Sequence, residues 1–283
     1  MTTTSPVPIP EALRFRAGDK VTDIDPGATP GFKGSKSDGQ QLQEERSARL
    51  AELQELLYAN HKAADDPRSV LLVLQGMDAS GKGGIVKHVV GAVNPMGVRY
   101  TAFGKPTEEE LAHHYLWRIR RALPPAGHIG VFDRSHYEDV LVVRVHNLVA
   151  PEVWGARYDE INAFERELVD NGVTLVKAAM FISPEEQKKQ LLERLDDPTK
   201  HWKYNPGDVD ERLRWADYQE AYQAVLDRTS TDYAPWYVVP SDRRWYSRLA
   251  ITELLIAALE GLDLSWPPAT FDIETERRRL LDS

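Results

Sequence analysis

The chain has 283 residues, of which 42% are hydrophobic and 28% are charged, and its 35 Lys and Arg against 44 Asp and Glu give a net charge of −9. This composition is typical of a globular protein with one large domain or two small ones. The absence of cysteine excludes a disulfide scaffold, a thiolate zinc site and a cysteine nucleophile. The net negative charge argues against a protein that coats nucleic acid.

The two ends of the chain differ in composition from its middle. Residues 1–40 are rich in Gly, Pro, Ser and Thr, which predicts a flexible N-terminal arm, and residues 261–283 predict a C-terminal tail. The start of the chain lacks the regions of a signal peptide, and no apolar run approaches the roughly 20 residues of a membrane helix. We therefore expect a cytoplasmic protein that binds neither membrane nor nucleic acid.

Between these ends, residues 41–260 alternate between two patterns. Short apolar runs predict strands at 70–74, 97–103, 129–132, 173–182 and 236–239. Helical patterns cover 41–64, 82–92, 107–122, 137–147, 151–171 and 242–260. This alternation predicts an α/β fold with a largely parallel five-stranded sheet between helices. Residues 184–232 have helical patterns without a strand, which predicts a helical lid over the end of the sheet.

A glycine-rich segment follows the first predicted strand. Residues 76–83 fit the phosphate-loop pattern G-x-x-x-x-G-K-[ST] at every place but the last, and a helix follows. Such a backbone directs N–H groups at phosphate oxygens, and Lys82 adds a mobile positive charge. The alternative is a chance glycine-rich turn. The predicted phosphate-binding residues here are Gly76, Ala79, Ser80, Gly81, Gly83 and Lys87.

Two carboxylates are candidates for holding a metal ion. Gly83 occupies the place where a Ser or Thr hydroxyl usually binds Mg²⁺, so another ligand is needed, and Asp78 lies within the loop. A carboxylate among phosphates requires a cation between them, which predicts one or two Mg²⁺ ions, with Mn²⁺ as an alternative. Asp133 ends an apolar strand, as in the second half of a phosphate-loop site, although it could also cap a helix. Arg134 beside it can clamp phosphoryl oxygens.

Further basic residues are candidates for binding a phosphate chain. Arg118 and Arg121 share one helix face, although such a face can also be merely solvated. Arg194, Lys200 and Lys203 belong to the predicted lid, where cations are needed on the inner side. Interleaved acidic residues make a salt-bridged helix pair the alternative for this segment.

Together, these motifs resemble the polyphosphate kinase 2 family over roughly residues 40–260. The resemblance rests on six segments: Gly76-Met-Asp-Ala-Ser-Gly-Lys-Gly-Gly84, Phe103 with Pro106-Thr-Glu-Glu109, His114-Tyr-Leu-Trp-Arg118, Phe132-Asp-Arg-Ser-His-Tyr-Glu-Asp-Val140, Trp202-Lys-Tyr-Asn-Pro-Gly-Asp208 and Ala234-Pro-Trp-Tyr-Val-Val-Pro240. It implies a thymidylate-kinase-like P-loop core with a helical lid. It also implies phosphoryl transfer between inorganic polyphosphate and nucleotides, with Mg²⁺.

The resemblance also implies roles for single residues. Asp78 looks like the metal-binding loop aspartate, Asp133 and Arg134 like the Walker B pair, and Arg194 like the arginine of the lid. Glu138 lies in a segment similar to class III members, which phosphorylate both nucleoside mono- and diphosphates. It is our candidate determinant of the acceptor. Asp133 departs from the Asn that is common in that class.

We therefore predict a Mg²⁺-dependent enzyme that converts AMP to ADP and ADP to ATP, reversibly, from polyphosphate. Guanine nucleotides remain open as substrates, and the resemblance implies a dimer or tetramer. Two alternatives remain. One is a nucleoside monophosphate kinase with ATP as donor, and the other is a non-catalytic module that binds nucleotide or polyphosphate.

Overall fold

The fold is built on one parallel sheet. The computed structural model describes residues 7–283, and the first six residues, where the predicted arm begins, lie outside the described part. The strands are β1 (Ser69–Gln75), β2 (Val98–Ala102), β3 (Ile129–Asp133), β4 (Val173–Phe181) and β5 (Trp236–Pro240). Their order in the sheet is β2-β3-β1-β4-β5, and every pairing is parallel. The predicted α/β fold with a five-stranded parallel sheet is confirmed.

Twelve α-helices occur within residues 7–283. They are α1 (Ile9–Leu13), α2 (Lys36–Ala64), α3 (Lys82–His88), α4 (Glu108–Leu111), α5 (Leu116–Ala122), α6 (Val142–Val145), α7 (Pro151–Asp170), α8 (Pro184–Asp196), α9 (Gly207–Leu213), α10 (Trp215–Thr229), α11 (Arg244–Glu260) and α12 (Ile273–Leu281). Short 3₁₀ turns lie at Val21–Asp23, Val90–Ala92, Pro95–Gly97, His136–Asp139 and Pro198–Lys203. None of the helices in this part of the chain combines the length and apolar character needed to cross a bilayer.

The central strand β1 is buried on both sides, as its continuous apolar sequence requires. Leu71 and Val73 face a core formed with α5, α7 and α10. Leu72 and Leu74 face a second core formed with α2, α3 and α11. Helices therefore cover both faces of the sheet.

The register of the sheet brings the candidate site residues to one edge. Leu74 of β1 pairs with Asp133 of β3, and Asp133 in turn pairs with Ala102 of β2. Because parallel strands end at the same edge, the segments that follow β1, β2 and β3 meet there.

The N-terminal segment differs from the flexible arm predicted for residues 1–40. Leu13, Phe15 and Val21 are buried, and Arg14 forms an antiparallel bridge with Tyr237 of β5. Helix α2 begins at Lys36, where Ser35 and Asp38 form a capping box. Several apolar residues of this segment are buried against the core, which composition alone does not indicate.

Two of the predicted helical segments each contain one helix more than the sequence predicts. The helix expected over 107–122 is interrupted, so that α4 and α5 are separate elements. The segment 184–232 holds three helices rather than two, and α10 buries Tyr218, Tyr222 and Val225 in the main core. The surface part of the predicted lid therefore consists of α8, α9 and the 3₁₀ turn between them. The tail includes the exposed helix α12.

Candidate active site

The glycine-rich loop between β1 and α3 has a sharply bent backbone. A Cβ on Gly76 would lie 2.6 Å from Ser80 Oγ and 2.7 Å from the Met180 carbonyl of β4, so only glycine fits there. Ala79 has a φ of 61° and Gly81 a φ of 107°, both in the left-handed region. The loop thus has the tight turn that a phosphate-binding backbone needs.

Lys82 is the first residue of α3, and its side chain lies under the loop. It is 8% exposed, and its Nζ donates to the carbonyls of Gly76 at 2.7 Å and Met77 at 3.3 Å. Burial lowers the pKa of Lys82, the positive charge of Arg134 lowers it further, and nearby carboxylates oppose both effects. A buried ammonium bonded only to carbonyls can gain a stronger partner when an anion enters the loop.

Arg134 connects the loop to the segment after β3. It has a φ of 62°, and its Nη2 donates to Asp78 Oδ1 at 2.7 Å, while Nη1 lies 3.5 Å from Glu138 Oε2. Burial alone would lower the pKa of Arg134, but the charges of Glu138 and Asp78 outweigh burial and raise it. Arg134 is therefore a fixed positive charge in the centre of the site, as its predicted role requires.

Glu138 lies in the 3₁₀ turn after β3, and burial raises its pKa despite the charge of Arg134. The buried side chain of Gln75 fits between Glu138 and Ser135. With the amide nitrogen 3.0 Å from Glu138 Oε1, the amide oxygen accepts from Ser135 N at 3.0 Å. Gln75 is not among the residues that the sequence predicts for the site. Its place as a polar residue at the end of an apolar strand is nevertheless a usable signal.

Asp133 ends β3, and the hydroxyl of Tyr100 lies 3.4 Å from its Oδ2. Burial and the charge of Asp133 raise the pKa of Tyr100. Within residues 7–283, no cluster of three or more His, Cys, Asp or Glu side chains is arranged to hold a metal. A metal ion at Asp78 or Asp133 would need further ligands other than a cluster of such side chains.

A cavity of about 380 Å³ lies at the carboxyl end of β2. Arg118 in this cavity donates to the Gly104 carbonyl at 3.0 Å and lies 3.5 Å from Glu110. Arg121 lies over the Trp117 ring. The structure thus brings the two predicted arginines of α5 to one pocket, together with Arg99 and Lys105.

The lid contacts the loop through α8, and an ion pair joins α8 to α9 within the lid. Arg194 Nη1 lies 3.1 Å from Asp208 Oδ2, and burial and the charge of Asp78 raise the pKa of Asp208. Gln187 Nε2 donates to the Asp78 carbonyl at 3.0 Å, a contact that the sequence did not reveal. The lid and the loop therefore meet at Asp78.

Two of the predicted lid cations make their side-chain contacts with neighbouring residues of the lid itself. Lys200 pairs with Asp197 at 3.1 Å, and the Lys203 ammonium lies over the exposed ring of Trp202. Both residues belong to the 3₁₀ turn at the outer end of α8. The prediction that they face the phosphate site has no support from these contacts.

A phosphate loop with a buried lysine, faced by an Asp-Arg pair at the carboxyl edge of a parallel sheet, defines a P-loop kinase core. The sequence matches the family described as Polyphosphate kinase 2 (PPK2) over residues 33–265. The chain belongs to the polyphosphate kinase 2 family, and the resemblance that its motifs carry is confirmed.

Several relatives cover nearly the whole chain. The AMP/ADP-polyphosphate phosphotransferase of Meiothermus ruber is 48% identical over 86% of this chain and 90% of its own. The ADP-polyphosphate phosphotransferase of Rhodopseudomonas palustris is 39% identical over 91% of this chain and 92% of its own. The crystal structure of polyphosphate kinase 2 from Arthrobacter aurescens is 50% identical, covers 99% of both chains and superposes with a TM-score of 0.96.

Proposed function

We propose that this protein transfers phosphoryl groups between inorganic polyphosphate and nucleotides, converting AMP to ADP and ADP to ATP. The observation that carries this proposal is the contact between Arg134 and Asp78 at 2.7 Å, above a loop that buries Lys82. Two positive charges thus converge where a transferring phosphoryl group would lie. The names of the relatives from Meiothermus ruber and Rhodopseudomonas palustris support polyphosphate and adenine nucleotides as the substrates.

Phosphoryl transfer depends more on positioning the two substrates and stabilising negative charge than on proton transfer. The terminal phosphate of AMP or ADP is already an anionic nucleophile, so no strong general base is required. Lys82 and Arg134 stabilise the negative charge that is shared among the transferring, attacking and leaving oxygens. Gln187 holds the lid against Asp78, which helps to exclude water that would otherwise hydrolyse the chain.

Asp78 and Asp133 are the residues that would hold Mg²⁺. Their carboxylate oxygens suit this ion, which commonly takes one or two protein carboxylates and fills its other positions with phosphate oxygens and water. The lack of a larger ligand cluster within residues 7–283 fits this pattern. When bound, Mg²⁺ would neutralise phosphate charge that Lys82 and Arg134 alone leave unbalanced.

The cavity at the end of β2 is our candidate for the acceptor nucleotide. Its volume of about 380 Å³ lies in the range of small-molecule sites. Phe103 of its lining donates its backbone N–H to the Asp133 carbonyl at 3.0 Å, so the cavity adjoins the catalytic edge. We therefore propose that Arg118 and Arg121, which the sequence assigned to polyphosphate, bind the phosphates of the nucleotide.

Glu138 is our candidate for setting the range of acceptors. Its side chain, 17% exposed, lies beside Arg134, and its charge therefore affects how that arginine meets an incoming phosphate. We propose that both AMP and ADP are accepted, as in the name of the relative from Meiothermus ruber.

The test is a matrix of donors and acceptors in the presence of Mg²⁺. Polyphosphate or ATP is offered with AMP, ADP, GMP or GDP, and the products are separated by ion-exchange chromatography. We expect ADP and ATP to form from polyphosphate. Transfer from ATP alone would instead indicate a nucleoside monophosphate kinase, and binding without transfer would indicate a non-catalytic module.

A further inference from the structure

Three cations on the β5 side of the phosphate loop have no carboxylate partner. They are Arg244 and Arg248 of α11 and Lys87 of α3, here called the outer cations. No carboxylate oxygen of residues 7–283 lies within 4.0 Å of any of them. By contrast, Arg134 and Arg194 lie 2.7 Å and 3.1 Å from carboxylates. Unpaired cations beside a phosphate loop attract anions.

The outer cations extend directly from the loop. Arg244 Nη2 donates to the Ala79 carbonyl at 2.5 Å, and a Cβ on Gly81 would collide with Arg244 Nη1. Arg248 follows one helical turn later on the same face of α11. Its Nη2 lies 3.9 Å from the place where a Cβ on Gly84 would be. The two arginines thus form a line that begins at the loop and continues along α3.

The surface along this line is open and positively charged. A Cβ on Gly83 would meet nothing within 4 Å, and Lys87, one turn further along α3, is exposed. Burial lowers the pKa of Arg244; the charges of Glu186 and Asp242 oppose this effect, and the smaller contributions of Arg248 and Arg194 add to it. Positive charges held close together repel each other, and an anion between them relieves that repulsion.

The shape of this surface favours a linear polyanion over a nucleotide. The cavity beside Arg118 on the opposite side of the loop is concave and adjoins Asp133, as a nucleotide site requires. Donor and acceptor must approach the transferring phosphoryl group from opposite sides. With the nucleotide on the β2 side, the donor chain leaves the loop on the β5 side, where the outer cations lie.

We propose that Arg244, Arg248 and Lys87 form a distal subsite that holds polyphosphate residues beyond those bound in the loop. This inference rests on the proposed function and names the part of the surface that the donor chain follows. A long chain extends past Arg244, which contacts the loop, to Arg248 and Lys87, whereas tripolyphosphate is too short to fill the loop and also reach them. The subsite therefore makes the enzyme favour long chains as donors.

The test compares donor length in the wild-type protein and in the variant Arg248→Gln. Initial rates of ATP formation from ADP are measured with long-chain polyphosphate and with tripolyphosphate. For Arg248→Gln we expect the KM for long chains, in phosphate-chain concentration, to rise about fivefold to tenfold. The KM for ADP and the kinetics with tripolyphosphate should change less than about twofold. Arg277→Gln on α12 removes one exposed surface charge and is the matched control.

Each result has a distinct meaning. An equal loss with both donors, or no change with either, contradicts the distal subsite while leaving the proposed function intact. A rise in the KM for ADP instead assigns these cations to the nucleotide. If the wild-type protein transfers no phosphoryl group from either donor, the proposed function fails, and the subsite that rests on it fails with it.

Discussion

Lys177 and Glu165 form an ion pair that is completely buried behind the active-site edge of the sheet. Lys177 Nζ lies 2.6 Å from Glu165 Oε2, and both side chains have no exposed surface. The hydroxyl of Tyr137 donates to Glu165 Oε1 at 2.7 Å, and His136 Nε2 lies 3.2 Å from the same oxygen. The pair therefore supports the 3₁₀ turn that carries Glu138.

Replacing one member of this pair should strongly destabilise the protein. In Lys177→Met, Glu165 keeps its buried carboxylate without the ammonium, and we expect a loss of about 3–5 kcal/mol in the free energy of unfolding. Urea denaturation followed by circular dichroism measures the change. Adding Glu165→Leu removes the second charge and should recover part of the loss. A loss below about 1 kcal/mol in Lys177→Met would show that the pair contributes little.

The loop should not tolerate a side chain at Gly81. Its φ of 107° disfavours an L-residue, and a Cβ there would collide with Arg244. We expect Gly81→Ala to lower kcat about a hundredfold, because the loop must shift. Gly155→Ala is the matched control, because its Cβ on α7 meets nothing within 4 Å. Similar rates in both variants would contradict the proposed role of the loop geometry.

The charge of Asp78 should matter more than its shape. Asp78→Asn keeps the side-chain size but weakens the bond to Arg134 and removes a proposed Mg²⁺ ligand. We expect kcat to fall about 10²–10³-fold while the melting temperature changes little. Steady-state rates over a Mg²⁺ titration check this expectation. A rate near that of the wild type at ordinary Mg²⁺ concentrations would remove Asp78 from the proposed site.

Glu138 should give the stability a specific pH dependence. Burial raises its pKa above the ordinary value of 4.5, so ionisation is less favourable in the folded than in the unfolded state. As the pH rises from about 4.5 through the folded pKa, the wild type should lose stability relative to Glu138→Gln. Above the folded pKa the difference should become constant. Urea denaturation of both proteins from about pH 4 to pH 8 tests the sign, which a difference of opposite direction would contradict.

Local sequence was sufficient to predict the sheet and the segments that meet at its carboxyl edge. The apolar run of β1, the glycine-rich loop and Lys82 are contiguous, and each is recognisable without knowledge of distant residues. Asp133 and Arg134 follow a second apolar run in the same way. The parallel sheet then brings both segments to one edge, which is why Arg134 contacts Asp78.

Contacts between distant segments could not be predicted in this way. The proximity of Arg244 to Ala79 spans 165 positions and depends on how α11 packs beside the loop. Gln187 reaches Asp78 across 109 positions for a similar reason. The burial of Phe15 in the segment predicted as an arm depends on the surface that the core offers. In each case the role of a single residue depends on a contact with a segment that is distant in the sequence.

The most direct test of the central claim is phosphoryl transfer from polyphosphate in a mixture that contains no ATP. The wild-type protein is incubated with long-chain polyphosphate, ADP and Mg²⁺, and ³¹P NMR follows polyphosphate and nucleotide together. We predict that ATP accumulates as polyphosphate residues disappear in equal number, and that Lys82→Ala, although folded, forms none. Absence of ATP with the wild type, or equal formation by Lys82→Ala, would contradict the account.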